Sequence, residues 1–192
     1  LYDKELNMEL ADNKGEWKMG QFIYERLGNN RQQLSQLKLV EFTREAWKDI
    51  KIARCEEGPL WKSIFMTGKS AECAGDNEII CEIRLYKNQK LLELHYSMKK
   101  LPLTKPEGVY IAFTFAPGSG QINFEVPGGS IVPGKGQLEG TSSDWNAIQS
   151  YASIRGEKNQ IMFSSPEIPL VQFSEINLGK FERVASHDKP II

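Results

Sequence analysis

The chain has 192 residues, 40% of them apolar and 26% charged, with a net charge of −1; this is the composition of a soluble globular protein, long enough for one domain with a substantial core or two small ones. So small a net charge gives no overall electrostatic bias toward nucleic acid or an anionic membrane, and no apolar run approaches the roughly 20 residues of a membrane-spanning helix. Cys55, Cys73 and Cys81 cannot all pair with one another and match no zinc-ribbon or redox spacing, so they read as small buried or half-buried thiols, with one disulfide open to them in an oxidising compartment.

The opening Leu1-Tyr2-Asp3-Lys4-Glu5 carries neither an initiator Met nor a signal peptide, and we expect a piece of a longer protein. Gly15 to Tyr24, with Trp17, Met19, Phe22 and Tyr24, reads as extended. Gly28-Asn29-Asn30 marks a break. Leu34 and Leu37 recur at helical spacing, so a short helix is predicted over 31–39. From Val40 onward the apolar period is mostly two, the pattern of half-buried strands. Trp61 to Thr67 is predicted as a strand after the Gly58-Pro59 turn. Ile79, Cys81, Ile83 and Leu85 face one way, and Leu92, Leu94, Tyr96 and Met98 answer them across a short turn at 87–89, which predicts a β-hairpin. Strands follow at Val109–Phe115, Gln121–Val126, Ile148–Arg155, Gln160–Phe163 and Leu170–Phe173. Many strands with one apolar face each predict an all-β fold, an antiparallel β-sandwich with at most the helix near 31–39. No composition break divides the chain, so one domain is expected over 1–192, with a tail at 185–192.

The stretch from Val126 to Tyr151 is the candidate for function. About twenty residues of weak pattern are long for a loop inside a compact domain, and such loops are usually functional or disordered. This one carries Ile131, Val132, Leu138 and Trp145, which favour burial, together with five glycines and two prolines. It therefore reads as an ordered excursion bearing a polar cluster: Gln137, Glu139, Thr141, Ser142, Ser143 and Asp144.

No catalytic pattern emerges from spacing. His95 and His187 are the only histidines, and neither belongs to a His-Glu-x-x-His or His-x-Asp motif. His95 sits beside Glu93 on the polar face of a strand, as a solvated histidine would. Ser142-Ser143-Asp144 places hydroxyls beside a carboxylate, but with no nearby histidine and no Gly-x-Ser-x-Gly elbow it reads as turn and cap residues. Glu139 and Asp144 are the carboxylates that share the loop, to be weighed against a cap and a solvated side chain. Trp145, Tyr110, Tyr151 and Trp61 have rings that suit the apolar side of a pyranose; Trp145 stands out because it lies in the polar loop rather than in an alternating run.

Several stretches resemble one family. Pro106-Glu107-Gly108-Val109-Tyr110-Ile111-Ala112-Phe113 resembles the strand that opens the distal half of its C-terminal β domain. Gln137-Leu138-Glu139-Gly140-Thr141-Ser142-Ser143-Asp144-Trp145 resembles its loop. Ser164-Ser165-Pro166-Glu167-Ile168-Pro169-Leu170-Val171-Gln172-Phe173 resembles its Asp-Ala-Pro-Leu-Val-Gln run. With Leu85-Tyr86 and the strand holding His95-Tyr96, these are similar to glycoside hydrolase family 38, the α-mannosidases, in a bacterial branch. The resemblance spans about Val40 to Phe181 and is most specific in the last third.

The resemblance implies a role by context. Enzymes of that family place a zinc-dependent catalytic α/β domain and a helical bundle before β-sandwich domains of the galactose-mutarotase-like supersandwich type. They are retaining enzymes: a zinc-bound Asp attacks the sugar, another Asp is the acid/base, and two His and two Asp hold the metal. No position here matches that pattern, so no catalytic residue and no metal ligand carries over. Zinc is expected in the missing catalytic domain and not in this chain, which alone should be inactive. The expected partners are the rest of the parent chain, its catalytic and helical domains, and a carbohydrate, with neither nucleic acid nor membrane. Glu139, Ser143, Asp144 and Trp145 are the expected substrate-contacting residues. A free-standing carbohydrate-binding module is the second reading. A mutarotase-like isomerase using His95 with a carboxylate across the sheet is the third.

Overall fold

The computed structural model describes residues 1–28, 42–116, 120–141, 145–174 and 176. Among these residues the chain is all β, and every pairing described is antiparallel. The strands are β1 Tyr2–Asp3, β2 Met8–Glu9, β3 Gln21–Leu27, β4 Phe42–Ala46, β5 Lys48–Glu57, β6 Trp61–Lys69, β7 Ala74–Tyr86 and β8 Leu92–Lys100. They continue as β9 Glu107–Ala112, β10 Gln121–Val126, β11 Gly129–Ile131, β12 Asn146–Ala147, β13 Ala152–Arg155, β14 Gln160–Phe163 and β15 Leu170–Val171. The helix expected over 31–39 and the tail at 185–192 lie outside the described residues.

The strands group into two compact units. One comprises Leu1–Met19 and the described residues after Ile111, and the other the described residues from Gly20 to Ile111. Neither crossing coincides with a change in composition, and the expectation of one domain over 1–192 rests on that continuity.

The Gly20–Ile111 unit is a sandwich of a four-stranded sheet, β5-β6-β7-β8, and a three-stranded sheet, β4-β3-β9. The hairpin predicted at 79–85 and 92–98 is β7–β8, with Ile79 opposite Met98, Cys81 opposite Tyr96 and Leu85 opposite Leu92. Its apolar face sends Ile79, Cys81, Ile83, Leu94, Tyr96 and Met98 into a core completed by Phe22 and Tyr24 of β3 and by Trp47. A side chain at Gly68 would meet the Trp47 indole at 2.5 Å, so only a hydrogen there lets the ring lie on β6. The Tyr96 hydroxyl donates to the Gly20 carbonyl, tying β8 to the start of β3.

The other unit is built on the sheet β11-β10-β13-β14, with the two-stranded pairs β1-β2 and β12-β15. Ile122 and Phe124 of β10 alternate inward with Ala152 and Ile154 of β13. Phe115, Ile148, Val171 and Phe173 close that core, and Met19, Phe113 and Phe163 pack at its margin. The strand predicted over 109–115 is interrupted: β9 ends at Ala112, and Phe115 makes a bridge to Ala11 instead. The strand predicted over 148–155 is also shorter, because the chain turns at 148–151 between β12 and β13.

Candidate functional site

Local chemistry explains the shape of the 126–151 excursion. Its first part is regular: β10 turns through Pro127-Gly128 into β11, with Val126 opposite Gly129. Two further reversals follow. The Lys135 N–H donates to the Val132 carbonyl at 2.9 Å, and the Thr141 N–H donates to the Leu138 carbonyl at 3.2 Å. In each four-residue turn the third position is a glycine in the left-handed region, Gly134 at φ 72° and Gly140 at φ 83°. That is the demand of a type II turn, and Pro133 suits the second position of the first. Glu139 holds the corresponding corner of the second turn, which puts its carboxylate in solvent. The Thr141 hydroxyl donates to the Leu138 carbonyl at 2.7 Å and reinforces that turn.

Side-chain amides lock the two ends of the loop together. The Gly134 N–H donates to Gln137 Oε1 at 3.2 Å, and Gln137 Nε2 donates to Asn146 Oδ1 at 2.9 Å. Asn146 is 2% exposed and lies opposite Val171 in the β12–β15 pair. The return of the chain is stitched by Ile148 N–H to Pro169 O at 2.9 Å and by Gln149 N–H to Glu125 O at 3.0 Å. Trp145, directly before Asn146, is 44% exposed, so part of its ring faces water.

Of the residues expected to touch a ligand, Glu139 reaches solvent from the second turn, and Trp145 reaches it from directly before Asn146. Ser143 and Asp144 fall outside the described residues. Leu138, also exposed, adds an apolar group beside Glu139. Sequence reading named Gln137 in the polar cluster but missed Asn146, because nothing in a nine-residue separation announces that two amides meet. The available signal was an amide next to the loop tryptophan, in a position where a strand would restart.

Asn146→Ala removes the acceptor of Gln137 from a buried position and is expected to lower stability by about 1–3 kcal/mol. A urea titration measures the loss. Amide exchange should then quicken at 134–141 while that of β13 holds; uniform quickening would mean that the amide pair does not brace this loop specifically.

Tyr110, His95 and the cysteines occupy ordinary structural positions. The Tyr110 hydroxyl donates to buried Glu25 at 3.1 Å, so this ring is not presented to a ligand. His95 is half-exposed on the solvent side of β8, with Nε2 3.2 Å from Glu93 Oε2, and His187 lies outside the described residues. Burial pushes the thiols of Cys73 and Cys81 up from their ordinary range, while Cys55 is exposed on the edge strand β5. Among the described residues, no three His, Cys, Asp or Glu side chains converge as metal ligands would.

No family model matches the chain, and no curated protein or solved structure matches it significantly.

Proposed function

We propose that this chain is a non-catalytic β domain of a glycoside hydrolase of the family 38 type, acting on α-mannosides. In that reading it supports the catalytic domain and lends the loop from Gln137 to Trp145 to the carbohydrate. The observation that carries the reading is the placement of Glu139 and Trp145, a hydrogen-bonding carboxylate and a partly open indole, between Gln137 and the buried Asn146, whose side-chain amides bond each other. A sugar ring asks for that pair of chemistries: an apolar face for its C–H groups and fixed polar atoms for its hydroxyls. Bracing in advance lowers the ordering cost of binding. The motifs at 106–113, 137–145 and 164–173 supply the choice of family and of α-mannosides. The catalytic zinc of such an enzyme belongs to its catalytic domain, and no step of the chemistry is assigned to residues here.

Isothermal titration of the chain with mannose and α-linked manno-oligosaccharides tests the loop. Binding in the millimolar range, weakened about tenfold or more by Trp145→Ala, is the expected outcome. Absence of heat, or heat indifferent to that substitution, would remove the loop from carbohydrate binding and leave the chain a supporting domain alone.

A further inference from the structure

A second polar surface, in the Gly20–Ile111 unit, is independent of that loop. The solvent side of β5-β6-β7-β8 is ordered in rows set by strand register. Arg54, Phe65, Glu82 and His95 form one row; Glu56, Ser63, Arg84 and Glu93 form the next; Trp61 and Tyr86 lie opposite each other beyond them. At the β5–β6 end these rows surround a depression of about 500 Å³, lined among others by Arg54, Glu56, Trp61, Ser63 and Arg84.

The floor and walls of the depression are fixed. Ser63 faces outward yet is only 3% exposed, and its hydroxyl donates to Glu82 Oε1 at 2.7 Å. Arg84 grips both oxygens of Glu82, at 2.8 and 2.9 Å, and its guanidinium lies 5.4 Å from the centre of the Trp61 ring. Tyr86 supports Trp61 from the side, with ring centres 5.6 Å apart. The rim differs. Arg54 lies over Phe65, its guanidinium carbon 3.8 Å from the ring centre, and donates through Nε to Glu56 Oε1 at 2.7 Å. Among the described residues that bond uses one donor of Arg54 and one oxygen of Glu56. Both side chains are more than half exposed.

We infer that this surface is a shallow binding site for a neutral oligosaccharide. Adjacent sugar hydroxyls need a donor and an acceptor held side by side, and the Arg54–Glu56 pair presents both. Trp61 supplies the half-buried apolar wall. The charges argue for a neutral ligand: Arg54 and Arg84 are answered by Glu56 and Glu82, and Glu57 at the rim by Lys62 and Lys87 at 3.0 and 2.9 Å. A polyanion or polycation would meet no excess of opposite charge.

The test is an amide-resolved NMR titration of the full chain with α-linked manno-, β-linked gluco- and β-linked galacto-oligosaccharides in turn. It is run on the unsubstituted chain and on Trp145→Ala, Arg54→Ala and Trp61→Ala. At least one sugar is expected to shift the amides of 54–57, 61–65 and 82–86, equally in the Trp145→Ala variant. Arg54→Ala, an exposed position where folding is safe, is expected to weaken that response about tenfold. No response at these amides from any sugar would overturn the inference, as would one that Arg54→Ala leaves unchanged. Shifts confined to 132–149 would overturn it too while sparing the loop reading; shifts here without any at 132–149 would do the reverse.

Discussion

Arg44→Met is expected to lower the free energy of unfolding by about 3–5 kcal/mol, the cost of leaving a buried carboxylate without its cation. Glu25 is fully buried on β3, directly opposite Arg44 on β4. Two Arg44 guanidinium nitrogens reach the same oxygen, Nη2 at 2.5 Å and Nε at 2.6 Å. Phe42 lies beside the guanidinium, its ring centre 5.2 Å from the central carbon. The other oxygen of Glu25 accepts from Tyr110, whose phenol is pushed up by its burial and by the Glu25 charge and so keeps its proton as donor. Without Arg44 the carboxylate retains that phenol as its polar support from β9, which donates a hydrogen bond but brings no countercharge to a low-dielectric site. The urea midpoint measures the loss. A paired change, Glu25→Leu with Arg44→Met, should recover most of it, because removing both charges also removes the desolvation penalty. A single-variant loss under about 1 kcal/mol would mean that water reaches the carboxylate instead of stranding it.

Phe173→Ala is expected to cost about 3–5 kcal/mol, as large-to-small changes of a core aromatic do. Phe173 is 1% exposed and packs on Phe124 with ring centres 5.4 Å apart, in the core shared with Ile122, Ile148, Ala152 and Ile154. Truncation opens a space that β10 and β13 cannot close without breaking their ladder. Leu170, three residues earlier, is 55% exposed, and Leu170→Ala should stay within about 0.5 kcal/mol. Equal losses at the two positions, read from denaturant midpoints, would mean that Leu170 is covered in solution, by another molecule or by another part of the chain.

That contrast shows where reading the sequence stops. Leu170 and Phe173 belong to one predicted strand, and hydropathy marks both for burial. Ile79 and Ile80 are the opposite case: alternation predicts that they face opposite ways, and Ile79 is buried while Ile80 is exposed. In the loop, the Pro-Gly pairs and Gly140 announce turns, so an ordered excursion was legible. Its brace was not, because the Gln137–Asn146 bond depends on how far the chain travels before β12 pairs with β15. The depression bordered by Arg54 and Trp61 was likewise hidden, since it exists only once β5 and β6 are in register.

The sequence by itself determined the all-β class and the β7–β8 hairpin. It also marked 126–151 as an ordered excursion from the strands on either side. Alternation and turn chemistry are properties of a few neighbouring residues and survive in any surrounding. The tertiary structure alone decided that the strands divide between two cores, that Glu25 is buried with Arg44, and that Ser63 on an outward face is nonetheless covered. Each of these depends on which strand lies beside which, and residues distant in the chain set that through pairing and packing.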